Sequence, residues 1–337
     1  MTEINTLTQF LSTANTQFQV YDLGRRVQHI DMVAFQQIEN LATPYPYPLQ
    51  GHAQFAVVFW DKSMQHYIWF LKLPLCEQGK LMAAPRTQFI KMVIEALGRN
   101  PAQVLTEAEQ EKLANHPFAF KPSSEKLAIF NALVRQQLGL PASQQYEFAY
   151  QYLSQQHDAD KWQQVGYQGL ADICVNASKL DHLAHLKAAF GFAANEVKIA
   201  LCQQLEHLYL DQELATIIYQ SGLEALQADK VYYLRALASH TELAVKFIHH
   251  LAEHELLNDE ILIAIAARCW NALKDDPTRS LYLEALAKQP QSFFNQVFAD
   301  IVAIPSLRTE MLKALRDPNR SPQLSAAIGG LFKVTKA

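Results

Sequence analysis

Glycine and cysteine are both scarce in this sequence, with 11 glycines and four cysteines among 337 residues. The glycines form no G-x-G-x-x-G, Walker or G-x-S-x-G pattern, so the usual frames for dinucleotides, nucleotide phosphates and a serine nucleophile are missing. No two cysteines form a C-x-x-C pair, and three of the four lie in apolar helical runs, so we expect buried free thiols in a reducing compartment. These absences favour a non-enzymatic protein, and we expect no cofactor.

Long apolar runs and an excess of positive charge are missing as well. The longest uncharged apolar run of the C-terminal half, residues 261–267, is far shorter than the ~20 residues that cross a bilayer. The N-terminus has no basic segment followed by an apolar stretch, as a signal peptide would. The formal net charge is −4, whereas binding to a phosphate backbone needs a cationic surface. We therefore expect a cytoplasmic protein that binds neither membrane nor nucleic acid.

A large aliphatic residue between two small ones recurs through the C-terminal half. Its copies are Gly169-Leu170-Ala171, Ala200-Leu201-Cys202, Ala236-Leu237-Ala238 and Ala264-Ile265-Ala266. The period of about 32 residues is the length of a helix-turn-helix unit, and small residues allow neighbouring helices to approach closely. We predict a right-handed helical-repeat domain, an α-solenoid like HEAT or TPR arrays, over residues 159–337. Within it, Asp276 and Ser321 each precede a proline and are expected to cap helices.

The first 100 residues have a different pattern. Residues 54–60 and 66–73 are rich in aromatic and branched side chains and predict a β-hairpin that is apolar on both faces. Such a hairpin is either covered on both sides or has one adhesive face. Short strands are predicted near residues 18–21 and 25–30, and Asp31 is expected to cap a helix that runs to residue 41.

These patterns predict a mainly α protein in three parts. Residues 1–100 form a small α+β domain with an antiparallel sheet. Residues 101–158 form connecting helices, one of them over 106–114. Residues 159–337 form the helical-repeat domain.

Seven residues of the N-terminal domain are candidate binding residues, because arginine and large aromatic side chains dominate binding hot spots. They are Asp22, Arg25, Arg26, Tyr45, Tyr47, His52 and Trp60. Neighbouring residues of an extended segment face opposite sides, so Arg25 and Arg26 cannot both enter one core. At least one of them is expected to be exposed or paired. The alternative is a small sheet domain with an aromatic core and solvated arginines.

One motif carries the spacing of a metal site. His250, Glu253 and His254 match the H-x-x-E-H pattern of inverted zinc peptidases, in which two histidines share one helix face. Glu284 and Glu310 are the acidic residues available as a further ligand. The alternative is a polar helix end, where histidine interacts favourably with the terminal carbonyls. We expect no metal here and keep the zinc site as the alternative.

Several segments of the sequence resemble those of a known family. They include Tyr21-Asp22-Leu23-Gly24-Arg25-Arg26-Val27, Pro44-Tyr45-Pro46-Tyr47-Pro48-Leu49-Gln50-Gly51-His52 and Lys161-Trp162-Gln163-Gln164-Val165-Gly166. The sequence is similar to a family of uncharacterised proteobacterial proteins of the same length, known as a domain of unknown function. The resemblance implies a bacterial cytoplasmic protein. It carries no activity, cofactor or catalytic residue.

The hypothesis that these observations favour is a protein-interaction adaptor or scaffold. Helical arrays mostly bind other molecules along a concave face, so a protein or peptide is the expected partner. The first alternative is a metal-dependent hydrolase that uses His250, Glu253 and His254. A further alternative is a nucleic-acid-binding helical array, although the net charge disfavours it.

Overall fold

The computed structural model describes residues 4–14, 16–61, 65–97, 116–179 and 181–334. The fold is mainly helical, with a small four-stranded antiparallel sheet near the N-terminus, as predicted. The chain divides into two units. The first comprises the residues up to Ser123 together with Ala303–Pro305, and the second comprises the remainder. The helix expected over residues 106–114 lies outside the described residues.

The first unit is built around the sheet. Its elements are α1 (Leu7–Thr13), β1 (Gln17–Asp22), β2 (Gln28–Ile30), α2 (Met32–Glu39), β3 (His52–Trp60), β4 (His66–Pro74) and α3 (Ala83–Leu97). The strand order is β2-β1-β3-β4, and all neighbours are antiparallel. The α2 cap is the predicted one, because the Asp31 carboxylate accepts hydrogen bonds from the backbone of Val33 and Ala34.

The β3–β4 hairpin is confirmed, and β3 is buried on both faces, whereas the first half of β4 is half-buried. Phe55, Val57 and Phe59 point into the main core of the unit with at most 1% exposure, and Val58 on the opposite face is 2% exposed. Strand β4 would be an open edge, but residues 118–120 lie along it. The Lys72 amide donates to the Phe118 carbonyl at 2.7 Å. This contact covers the edge of the sheet, which could otherwise pair with strands of other chains.

The second unit consists of helices. They are α4 (Ser124–Gln137), α5 (Tyr146–Leu153), α6 (Tyr167–Val175), α7 (His182–Phe192), α8 (Asn195–Leu205), α9 (Gln212–Glu224), α10 (Lys230–Ala236), α11 (Thr241–Glu253), α12 (Asp259–Ala267), α13 (Asp276–Ala287), α14 (Gln291–Val302), α15 (Pro305–Ala314) and α16 (Pro322–Val334). Helices α4 and α5 lie in the region that the sequence assigned to connecting helices, and they belong to this unit. Within the described ranges, no helix combines the length and the apolar character needed to cross a membrane.

Alternate helices of the second unit stack on one another. Helices α6, α8, α10, α12, α14 and α16 pack each against the next, and α5, α7, α9, α11 and α13 do the same. A chain of two-helix repeats produces this neighbour pattern, because each repeat contacts mainly the adjacent ones. The regular superhelix of a solenoid stays a prediction.

Gly169, a small residue of the repeated pattern, lies where two helices meet closely. A Cβ atom on Gly169 in α6 would lie 2.3 Å from the Gln145 carbonyl oxygen and 2.8 Å from the Ala149 Cβ. Residue 236 ends α10, and Leu237 begins a short 3-10 helix. One detail of the sequence prediction was wrong. The carboxylate that caps α13 belongs to Asp275, which accepts from the Thr278 amide, and not to Asp276.

Candidate functional site

Four of the seven predicted binding residues of the first unit are buried. Asp22, Arg25 and Tyr45 are fully inaccessible, and Arg26 is 6% exposed. The Tyr45 hydroxyl donates to Asp22 Oδ1 at 2.7 Å, and Asp22 Oδ2 accepts from the backbone amides of Arg25 and Arg26 at 3.2 and 3.3 Å. These hydrogen bonds to the Asp22 carboxylate therefore fix the conformation of the turn after β1.

This buried cluster also holds the proline-rich segment. The Arg25 Nε donates to the Pro48 carbonyl at 2.8 Å, and the Tyr45 ring packs against Phe55 of β3 with centroids 6.3 Å apart. Burial, together with the neighbouring Asp22 carboxylate, raises the pKa of Tyr45 well above its usual value. The Tyr45 hydroxyl therefore stays a hydrogen-bond donor at neutral pH.

The other three predicted residues are half-buried. The Tyr47 ring contacts Tyr45 edge to face at 6.4 Å. The His52 Nδ1 donates to the Gln50 carbonyl at 2.8 Å, and the Trp60 Nε1 donates to Gln17 at 3.0 Å. Direct binding requires accessible atoms. The buried members of this set therefore stabilise the fold of the first unit.

The H-x-x-E-H residues do come together, at the C-terminal end of α11. The candidate ligand atoms of His250, Glu253 and His254 lie within 4.8 Å of one another. The two imidazole rings are 4.3 Å apart. The pKa of His250 is lowered by partial burial and by the nearby His254 and Lys230, so this imidazole is neutral at pH 7.

The further acidic ligands that the sequence offered bind elsewhere. The Glu284 carboxylate accepts from the backbone and hydroxyl of Ser321, and the Glu310 carboxylate pairs with Lys313 at 3.1 Å. The neighbouring imidazole of His249 lies 2.9 Å from the Thr278 hydroxyl. Among the described residues, the group of three ligands is thus limited to His250, Glu253 and His254.

Sequence reasoning missed an ion cluster in the second unit. Glu206, directly after α8, is 1% exposed. Its carboxylate accepts from the Nε of Arg235 in α10 at 2.5 Å and from the Nε of Arg268 after α12 at 2.6 Å, and His207 Nε2 lies 3.4 Å away. Three successive members of one helix stack are therefore joined by one buried charge. Glu206, Arg235 and Arg268 are spaced near the repeat period, which is the signal that could have linked them.

The arginines keep the Glu206 carboxylate ionised. Burial by itself would raise the pKa of Glu206, but the charges of Arg268, His207 and Arg235 outweigh it and hold the pKa far below its usual value. The charge is thus retained inside the protein because its partners are fixed. Such a fixed arrangement also orients the partners' remaining hydrogen-bond donors.

Both arginines line a cavity between α10 and α12, which we call the α10–α12 groove. Its volume is about 270 Å³, and it is lined by Val231, Tyr232, Arg235, Glu260, Ile263, Ala264, Ala267 and Arg268. Ile263 is 48% exposed, and the guanidinium of Arg235 lies over the Tyr232 ring, 5.6 Å from its centroid. Within the described part of the chain, the terminal nitrogens of Arg235 make no hydrogen bond. The groove therefore offers an apolar surface beside oriented donors.

The two units and these sites define a mainly helical protein that carries an N-terminal antiparallel sheet. Residues 2–332 match the family described as Protein of unknown function (DUF3549), and the chain belongs to this family. This confirms the resemblance seen in the sequence. Comparison with curated proteins and with solved structures finds no match.

Proposed function

We propose that this protein is a non-enzymatic interaction adaptor. Its helical unit forms an α-solenoid, and the α10–α12 groove binds a segment of a partner protein. The segment places an apolar side chain on Ile263 and a hydrogen-bond acceptor, foremost a carboxylate, on Arg235 and Arg268. The observation that carries the proposal is the groove itself, which joins a half-exposed aliphatic side chain to two fixed guanidiniums.

The arginines support binding because they are already ordered. Each uses its Nε on Glu206, so the side chains lose little further freedom when a partner arrives. Side-chain ordering costs about 0.5–1.5 kcal/mol for each flexible residue at an interface, and preorganisation avoids that cost. Arginine and tyrosine are also the residue types that contribute most at such surfaces.

The charge of the groove favours a protein over a nucleic acid. Arg235 and Arg268 are accompanied by the carboxylates of Glu206 and Glu260, and the net charge of the chain is −4. A phosphate backbone requires a surplus of cations. A single partner carboxylate requires only oriented donors, which this groove supplies.

A cytoplasmic location is part of the proposal. The four cysteines, all within the described residues, are thiols and form no disulfide, and Cys174, Cys202 and Cys269 are buried. Free thiols are typical of a reducing compartment.

Affinity capture with matched variants tests the proposal. Ile263→Asp places a charge in the groove at a residue that is 48% exposed, and Leu312→Asp places the same charge on α15 at a residue that is 46% exposed. We expect wild type and Leu312→Asp to capture the same partner from lysate of the source organism. We expect Ile263→Asp to lose it.

The comparison requires that Ile263→Asp and Leu312→Asp give the same circular dichroism spectrum as wild type. Retention of every partner by Ile263→Asp would place the binding surface elsewhere. Equal loss in both variants would show that the α10–α12 groove has no special part in binding.

A further inference from the structure

We propose that His250, Glu253 and His254 form a binding site for one divalent transition-metal ion, foremost Zn²⁺. The site lies at the C-terminal end of α11, on the second unit. It is independent of partner binding in the α10–α12 groove, since none of its residues lines that groove. From the sequence we expected no metal; the arrangement of the three side chains changes that expectation.

The three residues are close enough to bind one ion. Their candidate ligand atoms lie within 4.8 Å of one another. Ligands of one zinc ion at about 2.0–2.1 Å in tetrahedral geometry are roughly 3.4 Å apart. Two ligand atoms at the largest separation, 4.8 Å, would have to approach each other by about 1.4 Å. Glu253 and His254 are exposed and His250 is half-buried, so side-chain rotation supplies this movement without any change of the backbone.

One imidazole is already held in the tautomer that a metal needs. The Nδ1 of His254 lies 2.8 Å from the His250 carbonyl oxygen. A carbonyl only accepts, so Nδ1 carries the proton and the lone pair is on Nε2. Metal-bound histidines commonly donate their other ring nitrogen to a carbonyl or carboxylate in this way, which fixes the direction of the ligating nitrogen.

The position on the helix favours a cation as well. His254 is the C-terminal cap of α11, and His250 lies in the last turn. The end of a helix carries partial negative charge on its last carbonyl groups, and this charge stabilises a bound cation.

The ligand set selects the class of metal. Two imidazole nitrogens and one carboxylate suit zinc and its neighbours, whereas Mg²⁺ and Ca²⁺ prefer oxygen ligands. Three protein ligands also leave a tetrahedral ion one open position. His250 and Glu253 line an open cavity of about 450 Å³ together with Tyr219, Val245, Lys246 and His249. There is therefore room for water or an external group at that position.

Isothermal titration calorimetry on the full chain, free of any affinity tag, tests the site. The titrants are ZnCl2 and, as a reference, MgCl2. The variants are His250→Ala, His254→Ala and Glu253→Gln. The matched control is His29→Ala, which removes an exposed imidazole on β2 that belongs to no group of three ligands within the described residues.

We expect one Zn²⁺ per wild-type chain and no binding of Mg²⁺. Outer-shell partners of a metal ligand contribute about 10–100-fold to affinity. Loss of a direct ligand histidine should therefore weaken zinc binding by at least about 100-fold, and Glu253→Gln by at least about tenfold. His29→Ala should bind as wild type does. Circular dichroism establishes that the variants are folded. If an alanine variant does not fold, His254→Gln replaces it, because this substitution keeps the helix surface polar.

Three results overturn the proposal. The first is the absence of saturable zinc binding to the wild type. The second is wild-type affinity in His250→Ala, His254→Ala or His254→Gln. The third is wild-type affinity in Glu253→Gln, because the carboxylate is then not a ligand and the set of three is wrong.

Discussion

Substituting Glu206 by glutamine should destabilise the helical unit by about 3 kcal/mol. The carboxylate is 1% exposed and accepts two hydrogen bonds, at 2.5 Å from Arg235 and at 2.6 Å from Arg268. A hydrogen bond to a charged group contributes about 1.5–3 kcal/mol, and breaking a buried ion pair costs about 3–5 kcal/mol. The arginine side chains are 22% and 16% exposed, so water recovers part of the loss. We therefore expect the lower end of the range for a buried ion pair, about 3 kcal/mol.

The same substitution should remove a pH dependence. The folded-state pKa of Glu206 lies below its ordinary value of 4.5 because the charges of Arg268, His207 and Arg235 overcome the effect of burial. A carboxyl with a lowered pKa contributes stability that is fully present above the unfolded-state pKa. That contribution is lost as the pH falls below about 4.5. Wild type should therefore lose more stability than Glu206→Gln between pH 7 and pH 4 or lower.

Urea unfolding followed by far-UV circular dichroism measures both effects. The control is Glu260→Gln, which removes an exposed carboxylate of the same groove. A surface change of this kind should alter the free energy of unfolding by less than about 0.5 kcal/mol. If Glu206→Gln stays within about 1 kcal/mol of wild type, or keeps the acid sensitivity of wild type, the argument that the buried charge joins the helices is refuted.

Two further predictions concern packing and thiol chemistry. Gly169→Ala should destabilise by about 1–3 kcal/mol, because the new methyl would overlap the Gln145 carbonyl; Gly191→Ala in α7, which meets nothing within 4 Å, should instead stabilise by up to about 1 kcal/mol through helix propensity. Thermal unfolding distinguishes them, and equal shifts of one sign would contradict the close contact. Under native conditions, one thiol should react with a colorimetric disulfide reagent. Cys76 is exposed, whereas burial raises the pKa of the thiols of Cys174 and Cys202 and a Leu234 carbonyl accepts from the buried Cys269. All four should react after denaturation, and more than one fast thiol in the folded protein would contradict this.

Local patterns in the sequence were sufficient for the elements of the fold. The β3–β4 hairpin followed from two runs of alternating aromatic and branched side chains, and α2 followed from Asp31 before an apolar stripe. These features depend on neighbours within a few positions, where side-chain direction and capping are fixed by backbone geometry. The spacing of small residues likewise predicted helices that meet closely, as Gly169 does.

The burial of polar residues could not be predicted from such local patterns. The sequence predicted that Arg25 and Arg26 cannot both enter a core, yet both are buried, and the Nε of Arg25 donates to the Pro48 carbonyl. An arginine is buried only where the tertiary structure brings acceptors to it from other segments. The sequence places Pro48 23 residues away and gives no sign that the two meet.

The sequence by itself determined a mainly helical chain with an N-terminal hairpin and its membership of the family, because these depend on local periodicity and on segments shared with the family. The stacking of alternate helices in the tertiary structure decided which distant residues meet. It joined Glu206 to Arg235 and Arg268 across 29 and 62 positions and created the α10–α12 groove beside them. Pairing of distant charges depends on the distance between packed helices, and that distance is set by all the side chains between them.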